Sequence, residues 1–406
     1  MVVKRVCYVL PSFVNCGGVM VVLEHANQLI NRGFEVALLN IGADKTLNWF
    51  PGNRAPMYSA LSDYPRKFDI VCATAWTTAY KARLLGLDTR RWIYLVQSDE
   101  SRWASTDTLE AVLARMTYFA PYEYIVVARW LKDWLYREFG KDAIHVPNSL
   151  NGNVMFQTEP IAPRTRRLRV LIEGPMHSAH KGMDDAFAAV RHLDVEVWCV
   201  SNAKPKRGHR YDRFFECVPY GQMRGIYSSC DVLLKMSKVE SFGYPPLEMM
   251  ACGGTAVITR FSGQEEYACD GENCFVVDIG DISAAAQRTS LLSQDRILLE
   301  KLRKNALQTA AAKTGWGKSI DILQKHFESE APSLSTPPTE FERQAFHTLC
   351  LLTDKLVIDF QNHTIGSSLG CLERLGRFEN LLKRFKKLTG YECLQRFRRA
   401  MQFQIL

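Results

Sequence analysis

Several features that would assign this chain to common protein classes are missing from its 406 residues. No run of about 18 apolar residues occurs, so the sequence contains no candidate transmembrane helix. Its twelve cysteines include no C-x-x-C pair, which argues against a zinc site and a compact disulfide framework. Most of these cysteines lie in apolar segments and are expected to be reduced core residues. The 47% hydrophobic content is sufficient for two or three domains with real cores.

The first part of the chain alternates between patterns typical of strands and of helices. Residues 4–10 are predicted to form a strand rather than part of a signal peptide, because Pro11 interrupts the apolar run. After a turn that contains Gly17 and Gly18, apolar residues recur at helical spacing. Continued alternation predicts a parallel, doubly wound domain over residues 1–155.

A dinucleotide-dependent oxidoreductase is the obvious competing interpretation of such a domain. The first turn, however, lacks G-x-G-x-x-G, and Asn40 rather than an acidic residue ends the second predicted strand. The sequence therefore disfavours that class of enzyme.

A second alternating region follows a polar segment that contains Pro160 and Pro163. We expect residues 156–167 to cross between domains and residues 168–329 to form a second parallel α/β domain. Pro- and Ser-rich residues 330–339 predict a linker.

The most informative segment lies between a predicted buried strand at residues 231–236 and a predicted helix. Glu240 is expected in the exposed loop that leaves the strand. Glu248 is expected in the first turn of a helix that two prolines begin and two glycines end. Both should face the crevice at the carboxyl ends of the strands, where open α/β sheets bind ligands. A glutamate at a helix N-terminus also stabilises the helix dipole, which is the purely structural interpretation of Glu248.

Residues 240–253 resemble the signature of retaining nucleotide-sugar glycosyltransferases, specifically glycosyltransferase family 4. The segment joins the two glutamates to Ser241, Phe242 and Gly243 and to the double proline. The resemblance extends over residues 4–328 and implies the GT-B architecture, in which two Rossmann-like domains face each other across a cleft. It also implies transfer of a sugar from a nucleoside-diphosphate donor to a glycan, with the whole segment in the donor site.

Roles for individual residues come with the resemblance. In this family the first glutamate of the motif, here Glu240, contacts hydroxyls of the donor sugar, and the second, here Glu248, contacts the ribose. The glycines of the first turn, here Gly17 and Gly18, allow the backbone to approach a phosphate at a helix N-terminus. A strand-to-helix turn also uses glycine for purely structural reasons.

The turn after the first strand of the second domain is the predicted phosphate site. Gly174 opens this turn, and Lys181 closes it just before a predicted helix, so that an ammonium group and helix N–H groups face one ligand. A solvated surface lysine is the alternative interpretation. The family has a Gly-Arg pair at the start of this turn, but Pro175 stands where the arginine is expected. The candidates to replace that arginine are His177, His180 and Arg260.

The resemblance also implies the chemistry of the site. The leaving diphosphate takes the proton of the acceptor, and fixed cations or amides that meet the developing charge lower the barrier. Lys181 is the predicted cation, and Glu240, which binds the donor sugar rather than acting as an acid or base, is the other predicted catalytic residue. Because no Asp-x-Asp pair occurs, a metal-independent reaction without a cofactor is expected, with a dTDP-, UDP- or GDP-linked donor sugar.

On the acceptor side, the family often has a histidine after the fourth strand of the first domain. This chain has Gln97 there, in a Val-Gln-x-x-Glu pattern that resembles a rhamnosyltransferase-like subset. Gln97 and Trp76 are the candidate acceptor-side residues; a strand-terminal cap and a half-buried core tryptophan are their structural alternatives. Pro175 and Gln97 also keep open a catalytically silent sugar-nucleotide-binding subunit, and a nucleotide-sugar epimerase is a third possibility.

The last region, residues 340–406, is predicted to be a basic helical tail. Its Lys/Arg-rich segment at residues 374–399 surrounds an apolar stripe at helical spacing. We expect it either to lie on an anionic membrane or to pack on the body with a solvated basic face. The reduced cysteines predict a cytoplasmic protein, and the first of these two alternatives would place it on the inner face of the plasma membrane. The resemblance implies a glycan or lipid-linked acceptor, and the net charge of +8 permits an anionic one. A nucleic-acid partner is not expected.

Overall fold

The computed structural model describes residues 3–42, 46–50, 52–103, 108–330 and residue 350. These residues form two parallel β-sheets in succession along the chain, with helices between the strands. The prediction of two doubly wound α/β domains is confirmed. The predicted tail at residues 340–406, including the basic segment at 374–399, lies outside the described residues except for residue 350.

The first domain contains seven parallel strands in the order β3-β2-β1-β4-β5-β6-β7. The strands are β1 (Arg5–Leu10), β2 (Glu35–Asn40), β3 (Met57–Ser59), β4 (Ile70–Ala73), β5 (Arg91–Val96), β6 (Glu123–Val126) and β7 (Ala143–His145). The helices are α1 (Gly17–Asn31), α2 (Trp76–Lys81), α3 (Leu109–Thr117) and α4 (Arg129–Phe139).

The second domain repeats this order over six parallel strands, β10-β9-β8-β11-β12-β13. The strands are β8 (Arg169–Glu173), β9 (Glu196–Ser201), β10 (Arg213–Glu216), β11 (Val232–Lys235), β12 (Thr255–Thr259) and β13 (Phe275–Val277). The helices are α5 (Met183–Val190), α6 (Met223–Ser229), α7 (Tyr244–Ala251), α8 (Ile282–Gln294), α9 (Arg296–Ala312) and α10 (Gly317–Glu328). Throughout the described ranges, every helix is too short or too polar to cross a bilayer.

Each sheet reverses the direction of its strand order beside its first strand, and this position determines where a ligand can bind. The reversal falls between β1 and β4 in the first sheet and between β8 and β11 in the second. Open α/β sheets bind ligands outside the carboxyl ends of the strands at such a point. Because Leu234 pairs with Ile172, the next residues along these strands, Lys235 and Glu173, emerge side by side at that point.

Hydrogen bonds join the two domains at the edge where the strands end. On α4, Trp130 Nε1 donates to the carbonyl oxygen of Ser241 at 2.8 Å, and the Arg129 N–H donates to Glu266 Oε1 at 2.8 Å. Arg102 Nη1 donates to Ser262 Oγ at 3.1 Å. These contacts hold the loops after β11 and β12 against the first domain.

Helix α10, the last element of the predicted domain at residues 168–329, packs against the first sheet. Arg91 anchors it: its Nε and Nη2 bind the carboxylate of Glu123, and its Nη1 donates to the carbonyl oxygens of His326, Phe327 and Ser329 at 3.0 to 3.2 Å. The Arg91 side chain is only 6% exposed. A single buried guanidinium therefore donates hydrogen bonds both to a carboxylate and to the carbonyl groups at the end of α10.

We predict that Arg91→Ala lowers the free energy of unfolding by about 3–5 kcal/mol, because it leaves several buried carbonyl groups without a donor and leaves Glu123 with His326 as its one remaining ionic partner among the described residues. The control is Arg167→Ala, which removes a 2.9 Å ion pair with Asp194 at side chains that are 42% and 94% exposed. That change should have little effect, since exposed pairs contribute little. Urea unfolding measures both, and equal effects would contradict an anchoring role for Arg91.

Candidate active site

The turn between β8 and α5 passes very close to the end of β11. Gly174 has φ +152°, and a Cβ atom there would lie 3.1 Å from Met183 Sδ, 3.7 Å from Lys181 Cβ and 4.0 Å from Lys235 Nζ. Gly182 has φ +61°, and a Cβ atom there would lie 1.8 Å from the carbonyl oxygen of Met236. Only glycine is therefore compatible with position 182, and the turn is held against β11.

Lys181 and Glu240 form an ion pair between this turn and the loop after β11. Lys181 Nζ lies 2.8 Å from Glu240 Oε1, which also accepts a hydrogen bond from Ser237 Oγ at 3.0 Å. Burial alone would raise the pKa of Glu240, but Lys235, Lys181 and Ser237 together lower it below its ordinary value. The Glu240 side chain is 12% exposed, so the prediction of an exposed loop residue is wrong.

Glu248 lies in the second turn of its helix, not in the first as predicted. Helix α7 begins at Tyr244, one residue before the double proline, because Gly243 adopts φ +74° and turns the chain there. The helix dipole acts mainly within the first turn, so it does not explain a carboxylate at Glu248.

The surroundings of Glu248 favour its protonated form. The residue is 5% exposed, and the hydroxyl of Tyr227 donates to Glu248 Oε2 at 3.1 Å. Burial, assisted by the negative charge of Glu173, raises the pKa of Glu248 to about 7, against the opposing effects of Tyr220, Tyr227 and Lys235. This carboxyl is therefore a buried polar group at the floor of the crevice, and it titrates near neutral pH.

Residues 241–243 shape the loop between the two glutamates. The carbonyl oxygen of Ser241 binds Trp130, and the buried ring of Phe242 packs against Tyr244 and Tyr267. At Gly243 a Cβ atom would lie 2.7 Å from the ring of Phe261. The observed contacts of these three residues are with the protein, and their predicted donor contacts stay predictions.

Gly17 and Gly18 form the N-terminus of α1, and neither has a positive φ. Space, rather than backbone conformation, accounts for them. A Cβ atom at Gly17 would lie 3.5 Å from Tyr244 Cδ2 of the second domain, and one at Gly18 would lie 3.3 Å from Gln97 Nε2. The first turn therefore approaches α7 directly, beside the loop that carries Glu240.

Gln97 and Trp76 lie at the ends of neighbouring strands in the first domain. Both are half-buried. Gln97 Nε2 donates to the carbonyl oxygen of Thr74 at 3.4 Å, which is the strand-end cap, and also faces Gly18. Trp76 is the first residue of α2. Its backbone N–H donates to Glu100 Oε2, and its ring packs edge-on against the ring of Tyr80. Gln97 thus has the contacts of a strand-end cap, and Trp76 has those of a half-buried core tryptophan. Their roles on the acceptor side stay predictions.

The sequence analysis missed Lys235 and Tyr227. Lys235 Nζ lies 3.2 Å from Glu173 Oε2 and 3.7 Å from Glu240 Oε1. Burial alone would lower the pKa of Lys235, but Glu173, Glu240 and Glu248 raise it above its ordinary value. A signal was present, because a lysine that ends an apolar strand is rarely buried unless it is paired.

The proposed replacements for the missing arginine have other partners. Arg260 Nε lies 3.3 Å from Asp278 Oδ1 and its side chain is 59% exposed. The ring of His180 lies 6.4 Å from that of Trp103, but His180 also lies within electrostatic reach of Lys181, Glu240 and Lys235: burial and the two lysines lower its pKa, against the opposing effect of Glu240. His177 is exposed. The side-chain atoms nearest to a Cβ atom at Gly174 belong to Met183, Lys181 and Lys235 instead.

The part of the chain that the structure describes contains no group of three or more His, Cys, Asp or Glu side chains arranged to hold a metal ion.

The sequence of the second domain matches a known family model. Residues 213–309 match the family described as Glycosyl transferases group 1. The matched region includes both glutamates and Lys235, whereas Gly174 and Lys181 precede it.

Two named proteins are similar in sequence to parts of this chain. The chain is 25% identical to the O-antigen biosynthesis protein RfbC of Myxococcus xanthus over 63% of this chain and 20% of RfbC. It is 32% identical to the D-inositol 3-phosphate glycosyltransferase of Corynebacterium jeikeium over 30% of this chain and 29% of the relative. The chain thus spans well under two thirds of the length of these relatives.

One solved structure has a similar fold across both domains. The Anabaena protein Alr3699/HepE, in complex with UDP and glucose, has a TM-score of 0.64 to this chain at 13% identity, over 80% of this chain and all of that one. The similarity confirms the predicted GT-B fold, with two Rossmann-like domains.

We predict that Glu248→Gln stabilises the protein at pH 8 by about 2 kcal/mol and has little effect near pH 4.5. The folded-state pKa of Glu248, about 7, exceeds the ordinary value, so its contribution to stability is complete at low pH and is lost as the pH rises through 7. The glutamine keeps an acceptor for Tyr227 but cannot ionise.

Thermal unfolding across this pH range measures the effect of Glu248→Gln. Glu265→Gln, at an exposed position in the same domain, is the control and should leave the profile unchanged. Parallel pH profiles for wild type and Glu248→Gln would contradict the assignment.

Proposed function

We propose that this protein is a retaining glycosyltransferase that moves a sugar from a nucleoside-diphosphate donor to a growing glycan. The observation that carries the proposal is the ion pair of Lys181 with Glu240 at the carboxyl edge of the second sheet, where the strand order reverses, with Glu248 within electrostatic reach of the same strand end. These are the residues to which the resemblance assigns phosphate, sugar and ribose contacts. The family match over residues 213–309 supports the same class of reaction.

The electrostatics of the site suit departure of a diphosphate. Cleavage of the anomeric C–O bond places negative charge on the leaving group, and fixed positive charge in a water-poor site stabilises it. Lys181 is 23% exposed and is held at the N-terminal side of α5, where helix N–H groups add to its charge. In the proposed reaction the leaving phosphate accepts the proton of the acceptor hydroxyl, and no metal ion is required.

Glu240 has a different role from a glycosidase carboxylate. Its pKa is lowered, so it stays ionised near neutral pH and can accept hydrogen bonds from sugar hydroxyls. Its place beside Lys181 puts the sugar next to the diphosphate-binding turn. Donor binding requires Lys181 to exchange part of its contact with Glu240 for contact with phosphate.

The comparisons support UDP-linked sugars as the first donors to test, because HepE binds UDP and glucose. RfbC, named for O-antigen biosynthesis, supports a polysaccharide or lipid-linked acceptor. We propose that transfer takes place at the cytoplasmic face of the plasma membrane. GDP- and dTDP-linked donors, including deoxysugars such as rhamnose, belong to the same screen.

The decisive experiment incubates the purified chain with each donor, with and without lipid-linked saccharide acceptors. Release of nucleoside diphosphate that depends on acceptor, with labelled product of the same anomeric configuration, supports the proposal. Change of the sugar in donor alone identifies an epimerase. Donor binding without transfer to any acceptor identifies a silent binding subunit.

We predict that Glu240→Gln lowers the transfer rate at least about 100-fold, as for loss of a charged group at a reaction centre. Affinity for the free nucleoside diphosphate should not fall, because Glu240 is proposed to contact the sugar and its neutralisation frees Lys181 to bind phosphate. Initial rates and calorimetric titration give the two quantities. The control is Glu265→Gln, which changes the charge by the same amount at an exposed position. A wild-type transfer rate in Glu240→Gln would show that Glu240 is not part of the donor site.

A further inference from the structure

We propose that Lys235 is the second diphosphate-binding cation of this site, in the place that an arginine at position 175 would fill. This inference rests on the proposed function and adds a residue that the family motif does not supply. It also accounts for Pro175, because a cation that arrives from β11 makes a second cation on the turn, in addition to Lys181, unnecessary.

The position of Lys235 follows from the topology of the second sheet. It ends β11 beside Glu173, which ends β8, and these are the two strands between which the strand order reverses. Its ammonium group lies 4.0 Å from the point that a Cβ atom on Gly174 would occupy. Because Gly174 has no side chain, the backbone of the turn can lie directly over the ammonium group of Lys235.

Lys181 and Lys235 are close enough to bind one diphosphate together. Their Nζ atoms lie 2.8 and 3.7 Å from the same oxygen, Glu240 Oε1, so at most about 6.5 Å separates them. One ammonium group comes from the turn and the other from the strand end. A ligand at the N-terminus of α5 would meet both.

Lys235 keeps one N–H group for a ligand. Its ammonium group donates to the carbonyl oxygen of Glu173 at 3.3 Å and to Glu173 Oε2 at 3.2 Å. Glu240 Oε1, at 3.7 Å, is beyond hydrogen-bond distance. An ammonium group has three donors, so one remains without an acceptor among the described residues.

The charges of the site also require more cation than Lys181 supplies. The carboxylates of Glu173 and Glu240 lie beside the two lysines, and a diphosphate would add further negative charge. With Lys181 alone, the leaving group would face an excess of negative charge at low dielectric. The Lys235 side chain is 2% exposed, so solvent screens its charge little.

The test is calorimetric titration of the full chain with UDP, GDP and dTDP, followed by the tightest of them and its parent nucleoside. Lys235→Met should weaken diphosphate binding about 10- to 100-fold, the loss of one charged hydrogen bond, and change nucleoside binding less than threefold. Lys301→Met, which removes an exposed lysine on α9 of the same domain, is the matched control and should bind as wild type does.

Two further variants separate binding from folding. Glu173→Gln combined with Lys235→Met removes both charges of the buried pair, and it should show the same selective loss if Lys235→Met alone unfolds. Pro175→Arg added to Lys235→Met should restore diphosphate affinity.

Two results would overturn the inference alone: wild-type diphosphate affinity in Lys235→Met, or equal loss for diphosphate and nucleoside in that variant, which would indicate a structural role. Failure of the wild-type chain to bind any nucleoside diphosphate would reject the proposed function as well.

Discussion

The ionic contact among Lys181, Glu240 and Lys235 is the constraint on which the site depends. It joins the turn after β8 to the end of β11 and to the loop beyond it, three segments that meet only where the strand order reverses. Buried charges are costly unless they are paired, so each group is acceptable only because the others are present. The same arrangement leaves positive charge beside a helix N-terminus, which is where a diphosphate binds most favourably.

Close backbone approach makes this contact possible. Gly182 lies against the carbonyl group of Met236, and Gly243 lies against the ring of Phe261. These positions fix the turn and the loop relative to β11. The first domain then covers the loop through Trp130, whose indole N–H donates to Ser241. The geometry of the site therefore depends on both domains, although both glutamates and both lysines come from the second.

Much of the fold was predictable because its signals are local. Alternation of apolar strands and amphipathic helices indicated two parallel domains, and the spacing of Glu240 and Glu248 indicated a loop followed by a helix. Contacts between residues far apart in the sequence were not predictable in this way. Lys235 becomes a site residue only because β8 pairs with β11, and Arg91 anchors a helix end 235 residues away. The helix start was misplaced because Gly243 permits a turn that the double proline alone did not indicate.

The account is tested most directly by the crystal structure of the full chain with the nucleoside diphosphate that binds most tightly. It predicts that the diphosphate lies at the N-terminus of α5, with phosphate oxygens within hydrogen-bond distance of both Lys181 Nζ and Lys235 Nζ and with the ribose beside Glu248. A diphosphate bound outside the crevice between the two domains would contradict it.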